Sequence, residues 1–188
     1  MPTPQDAYAA AVRAYLAGRR LDMRELASEL GVSRNTLYRW TGDRERLLQD
    51  VIWSLSESVI DEVWASTARR RGTSRLVEAL RRYLVTIVES HALQEFLRNE
   101  TYVALRLLTS QGPFQDRLVA KVQELRGAKV PRATSSSSSS WTFAPRADTG
   151  LLAYAAVRVI EGFVYNDTVV RAEPEVDRAV EVIRLLLE

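Results

Sequence analysis

The chain has 188 residues, 46% hydrophobic and 27% charged, the proportions of an ordinary globular protein, and no apolar run reaches the roughly 18 residues a membrane span needs. It contains no cysteine, which excludes disulfides, thiol catalysis and thiolate metal sites. The formal net charge is only +2, and Lys121 and Lys129 are the only lysines, leaving 24 arginines among 26 basic residues. That bias is what a GC-rich genome produces, yet arginine is also the side chain best shaped for bidentate contact with phosphate and guanine.

The N-terminus, MPTPQDAYAA, lacks the basic-then-apolar pattern of a signal peptide, which points to a cytoplasmic location. Strand signals are almost absent, whereas helical periodicity recurs from residue 6 to the end, so an all-α fold is expected. The first helix is predicted over Gln5–Leu16, with Tyr8, Val12, Tyr15 and Leu16 on one side and Gly18 closing it. Asp22 suits the N-cap of a second helix, Met23–Leu30, and Glu25 completes a capping-box pattern. Gly31 supplies the left-handed residue that a tight turn requires. Ser33 then caps a short third helix ending near Trp40.

Asp43 can cap a much longer fourth helix starting at Arg44. Its stripe of Leu48, Ile52, Leu55, Val59 and Val63 predicts continuation to about Arg69, on the order of 38 Å. Further helices are expected at Ser74–Ser90, Leu93–Thr109 and Phe114–Arg126. Residues 131–150 include the run Ser135–Ser140 and read as a mobile, low-complexity segment.

The stretch LLAYAAVRVIEGFVYN, residues 151–166, is apolar almost all round and must be covered on most sides. Pro174 opens a final helix striped by Val176, Ala179, Val180, Ile183 and Leu187 and widened by Val182 and Leu186. One chain of this size does not readily cover both helices, so they are expected to pack against their copies in a homodimer.

Two short helices joined at Gly31, followed by a helix with a polar face, describe a helix-turn-helix. Leu26 and Leu30 fill the space beneath the second helix, small Ala27 admits a close crossing, and Val32, Leu37 and Trp40 seal the unit. The exposed set, Ser33, Arg34, Asn35, Thr36, Tyr38 and Arg39, has no acid among it. Such a surface suits a partner rich in acceptors and negative charge.

The segment LASELGVSRNTLYRWTGDRERLL resembles the DNA-binding core of the TetR family of bacterial transcriptional regulators, over about residues 8–52. The C-terminal stretch from Ala147 to Leu187 also resembles the QsdR-type subgroup, associated with control of quorum-signal degradation. The resemblance implies an N-terminal three-helix helix-turn-helix domain, residues 1–46. A long helix would join it to an all-helical ligand-binding and dimerisation domain, residues 47–188.

By that resemblance the third helix lies in the major groove, with Arg34, Asn35 and Thr36 at base edges. Ser33, Tyr38 and Arg24 match positions that contact phosphate, as does Arg44 at the start of the fourth helix. Arg39 reaches a base, a phosphate or solvent. Trp40 and Thr41 depart from the His and Phe common in the family, so the end of the recognition helix is expected to pack or contact DNA differently.

A regulator of this type needs a second state set by a small-molecule effector. The candidate ligand residues are Trp64, Phe96, Asn99, Tyr102, Tyr154, Arg158, Glu161, Tyr165 and Asn166. Arg158 and Glu161 are three apart on one helix: either they pair with each other or they orient a lactone, amide or carboxylate head group. An apolar or amphiphilic ligand is favoured. No metal site or cofactor is expected, and His91 with no nucleophile or glycine-loop motif gives no sign of an enzyme. The competing reading is a helical protein-interaction dimer whose helix-turn-helix does not read DNA.

Overall fold

The computed structural model describes residues 1–127, 148–170 and 172–187, and every regular element among them is helical. The Ser135–Ser140 run lies outside the described residues. Helix α1 (Pro4–Leu16) opens with a reciprocal cap: Thr3 Oγ1 accepts the Asp6 N–H, and the Asp6 carboxylate accepts the Thr3 N–H at 2.8 Å. Its inner face is Ala7, Ala10, Ala11, Ala14 and Tyr15, whereas Leu16, expected inside, is 53% exposed. Methyl side chains leave room for α1 to pack closely on both α3 and α4. A reading of large apolar residues alone misses that face.

Helix α2 (Met23–Glu29) is capped by Asp22, which accepts the N–H groups of Arg24 at 2.6 Å and Glu25 at 3.2 Å. The cap is one-sided, because Glu25 does not return a bond to Asp22. Gly31 takes φ +65, the left-handed turn expected of it. Ser33 Oγ accepts the Thr36 N–H at 3.1 Å to start α3 (Arg34–Thr41). Leu37 is fully buried beneath α3, with Val32 and Trp40 half-buried beside it.

Asp43 caps α4 (Arg44–Ser66), whose 23 residues span about 35 Å. Leu47, Leu48, Val51, Ile52, Ser56, Ile60 and Val63 are buried along it, while Leu55 and Val59 of the expected stripe are only partly covered. The body is built by α5 (Gly72–Val88), α6 (His91–Asn99), α7 (Thr101–Thr109), α8 (Pro113–Leu125), α9 (Thr149–Ile160), a π-helical segment (Glu161–Asn166), the short turn α10 (Asp167–Val169) and α11 (Val176–Leu187). Helix α5 packs on α4 and α11, and α9 packs between α8 and α11.

Two elements differ from expectation. The single helix predicted over Leu93–Thr109 is broken at Glu100, whose backbone sits at φ −133, ψ 42. Its carboxylate accepts from Arg44 Nη2 at 2.6 and 2.5 Å and lies 3.6 Å from Arg20 Nε. The Arg44 contact spans 56 residues, so local periodicity carries no trace of it. The last apolar helix widens into π geometry at Glu161, and Pro174 sits just before α11, where its carbonyl accepts the Val176 N–H.

Arg44 also donates Nε–H to the Leu21 carbonyl at 2.6 Å, so one guanidinium ties the loop between α1 and α2 to the break between α6 and α7. Arg44→Ala and Glu100→Ala are expected to be non-additive. Urea unfolding of both single variants and the double should give a coupling of roughly 0.5–3 kcal/mol; additive losses would mean the contact does not hold the two halves together.

Candidate nucleic-acid interface and effector cleft

Helix α3 presents Arg34, Asn35, Tyr38 and Arg39 to solvent, with Tyr38 46% exposed and Leu37 between them turned wholly inward. Arg24 at the start of α2 is exposed on the same unit. Among the described residues no carboxylate lies within the 4.0 Å of an ion pair from Arg24, Arg34 or Arg39, whereas most arginines of the body have one. Three unneutralised guanidinium groups on one small unit make a positive surface whose donors are free to bond an external acceptor.

Ser33 and Thr36 are differently engaged. The Ser33 hydroxyl caps α3 and shares a 2.9 Å hydrogen bond with Thr36 Oγ1, and Thr36 is half-buried. Arg44 departs furthest from expectation: its head group is spent on Glu100 and Leu21 and its side chain is 21% exposed, directed into the fold. Arg46, in the first turn of α4, is exposed.

The residues expected to hold an effector are not gathered in one place. Trp64 lies near the α4 C-terminus under the guanidinium of Arg75, 3.6 Å from the ring centroid. Tyr102 is 78% exposed, with Arg106 5.7 Å from its ring, and Arg106 itself pairs with Glu45. Asn99 donates to Glu95 at 2.8 Å, and Phe96 meets Tyr15 edge-on at 5.9 Å, joining α6 to α1. Tyr154 faces outward at 37% exposure. The side chain of Asn166 lies outside the described residues.

Arg158 and Glu161 pair with each other, at 2.6 Å, and Arg158 also donates to the Thr109 carbonyl at 2.8 Å. Glu161 is buried and accepts from Gln115 Nε2 of α8 at 2.8 Å. The π-helical turn carries Glu161 to α8, and the pair ties α9 to α8 and to the Thr109 carbonyl.

Of the described members of that set, only Tyr165 reaches the apolar cleft of 200 Å³ lined by α1, α4, α5, the π segment and single residues of α6 and α7. Ile52, Leu55, Val59 and Ile87 supply apolar walls, and Tyr15 of α1 closes the DNA-binding side. Among the described residues none that lines it is charged. Tyr83 is fully buried at the cleft, where its hydroxyl lies beside Ser56 and Tyr165 without a well-aligned hydrogen bond. Burial pushes the Tyr83 and Tyr165 phenols upward, so both stay neutral donors. Tyr83 was missed because a tyrosine on the inner stripe of α5 reads as core. Only its hydroxyl sets it apart, and how a hydroxyl is met is a property of the packed state.

An all-helical protein with an N-terminal helix-turn-helix, a long connecting helix and a helical body containing a neutral cleft is the class of one-chain, ligand-responsive regulators. Residues 71–188 match the family described as Tetracyclin repressor-like, C-terminal domain, and the chain belongs to the TetR family of transcriptional regulators. It is similar in structure to the R. erythropolis transcriptional repressor QsdR, at 27% identity and a TM-score of 0.80 over 99% of this chain and 96% of that one. The TetR family repressor AlkX from Dietzia sp., implicated in biodegradation of n-alkanes, shares the fold at 20% identity and a TM-score of 0.57, with 99% and 98% of the two chains covered. No functionally curated protein sequence matches the chain significantly. Among the described residues no helix is long and apolar enough to cross a membrane.

Burial raises the Glu161 carboxyl above its ordinary 4.5, with the Gln115 hydrogen bond and the Arg158 charge opposing the rise. The native state therefore holds that proton more tightly than the unfolded chain. Stability from this group is full below about 4.5 and is lost as pH rises through the raised native value. Asp6 and Asp22 are lowered from 3.8 by their cap hydrogen bonds, so their opposite effect falls at more acid pH. Glu161→Gln is expected to flatten the decline in unfolding free energy as pH rises above about 4.5, measured by urea melts at each pH. An unchanged pH profile would place the decline on another group.

Proposed function

We propose that the chain is a transcriptional repressor that binds a palindromic operator as a homodimer and leaves it when a neutral, apolar or amphiphilic effector, of which a lactone-type signal is one example, fills the cleft between α1, α4 and α5. The observation that carries this reading is the shared wall: Tyr15 belongs to the helix-turn-helix unit and Ile52 to the connecting helix, and both line one cleft. A ligand that fits one arrangement of α1 and α4 better than another shifts the presentation of α3 by its difference in affinity for the two. At 200 Å³ the cleft is smaller than the ~300 Å³ lower end of drug-sized sites, so the effector is small or widens the cleft as it enters.

In this reading Arg34 and Asn35 read base edges, and Ser33, Thr36, Tyr38, Arg39 and Arg24 support the docking. Arg44, with its head group committed to Glu100, acts as an internal clasp. The dimer forms through α9 and α11, whose Leu151, Tyr154 and Leu185 are exposed in the single chain at 61%, 37% and 72%. Two recognition helices related by a two-fold axis then meet half-sites about 34–36 Å, or a multiple of that, apart. The chain has no catalytic role. The expected site is cytoplasmic.

Binding of labelled promoter duplexes flanking the gene, with a scrambled duplex as control across a salt series, tests the DNA half. Arg34→Ala should lose ~1–3 kcal/mol of discrimination between the two duplexes while keeping most of the salt dependence. Equal binding of wild type to both duplexes would sink the operator reading. For the effector half, Val59→Trp should fill the cleft. Wild type should melt at higher temperature with a neutral medium-chain lactone or alcohol and release DNA, and Val59→Trp should do neither while binding DNA normally. A variant that still responds would move the effector away from this cleft.

A further inference from the structure

At the far end of α4 from Arg44, a cavity of 540 Å³ opens where the α4 C-terminus, the start of α5 and the end of α8 meet. Four arginines line it: Arg70, Arg71, Arg75 and Arg126. Trp64, Leu76 and Leu125 provide an apolar side. The Arg75 guanidinium is fixed over Trp64 and donates Nη2–H to the Trp64 carbonyl at 2.9 Å, which leaves its Nε buried without a partner. Arg126 Nη1 is buried without a partner as well.

The charges at this junction are poorly compensated. Arg70 lies 3.9 Å from Glu78, and Glu78 already accepts from Arg82 at 2.9 Å. Among the described residues no carboxylate is within ion-pair distance of Arg71, Arg75 or Arg126. Helix α5 starts at Gly72 with no side-chain cap, so its first N–H groups add positive potential at the same place. Like charges converge here, and each buried N–H without an acceptor carries a desolvation cost. An oxyanion relieves both penalties, and guanidinium is the group whose donor geometry fits one.

We propose that this cavity binds a small organic oxyanion, with its carboxylate or phosphoryl head on Arg71, Arg75 and Arg126 and its apolar part against Trp64, Leu76 and Leu125. The site shares no lining residue with the neutral cleft between α1, α4 and α5. It does not rest on the effector reading above. The two sites divide ligands by charge: the cleft takes neutral molecules, and the arginine cavity takes anions.

Isothermal calorimetry on the full chain without DNA tests this, using octanoate, octyl phosphate and the uncharged octanol as probes. One or both anions should bind at one site per chain, more weakly as salt is added, with octanol at least tenfold weaker. Arg126→Gln and Arg71→Gln should each weaken the anion by roughly ten- to a hundredfold, with the helical circular dichroism and melting temperature of wild type. Val59→Trp should leave anion binding unchanged, which separates failure of this site from failure of the cleft. Whichever anion binds more tightly identifies the head group as carboxylate or phosphoryl. If Arg126→Gln does not fold, Arg71→Gln decides alone, because Arg71 is exposed and its side chain carries no ion pair among the described residues. Binding of octanol as tight as either anion, wild-type affinity in the folded arginine variants, or no anion binding at all would overturn the proposal.

Discussion

The most buried ion pair between the N-terminal unit and the body is Arg44–Glu100, with Arg44 also holding the Leu21 carbonyl. Arg44 is the first residue of the connecting helix, so whatever moves Glu100 acts on the origin of α4, next to the helix-turn-helix. The carboxylate side chain is 10% exposed and the arginine side chain 21%, which makes the pair dependent on each partner being present. Removing one leaves the other charge partly buried without compensation. Around this clasp the junction is sealed by apolar contact: Tyr15 against Phe96, and the alanine face of α1 against α3 and α4.

Charge is distributed along the molecule in a way that sorts its surfaces. In the body, arginines are mostly neutralised by nearby acids, as in Arg82–Glu78 and Arg98–Glu95. Among the described residues, Arg24, Arg34 and Arg39 of the recognition unit have no such acid, nor do Arg71 and Arg75 at the α5 start. Between those two positive regions lies a cleft whose described walls carry no charge. The interior polar groups differ in how they are met: Gln115 donates to Glu161 Oε1 and Arg158 pairs with Oε2 by charge rather than by a well-aligned hydrogen bond, and the Tyr83 hydroxyl lies beside Ser56 and Tyr165 without a well-aligned one. A satisfied buried group fixes packing, and an unsatisfied one at a cavity leaves a hydrogen bond for something else to complete.

Much of the fold was legible in the sequence because its signals are short-range. Asp22, Ser33 and Asp43 start helices as capping residues, Gly31 turns the chain, and the apolar stripe of α4 marks its length. The exposed polar set of α3 was legible for the same reason, since a helix of period 3.6 that buries Leu37 must expose its neighbours. The break at Glu100 was not legible, because residues 93–109 keep helical periodicity across it. The π-helical turn was equally silent, and its effect is to direct Glu161 toward α8 and Tyr165 toward the cleft.

The sequence by itself determined the helical class, the helix-turn-helix and the family, since caps, turns and periodic faces are properties of neighbouring residues. Tertiary structure alone decided which side chains have partners. It committed the Arg44 head group to Glu100, paired Arg158 with Glu161, sent Tyr102 and Tyr154 outward, and placed Tyr83 at the cleft beside Ser56 and Tyr165. The physical reason is the same in each case. Whether a polar group is spent or available depends on donors and acceptors tens of residues away, and no local pattern records them.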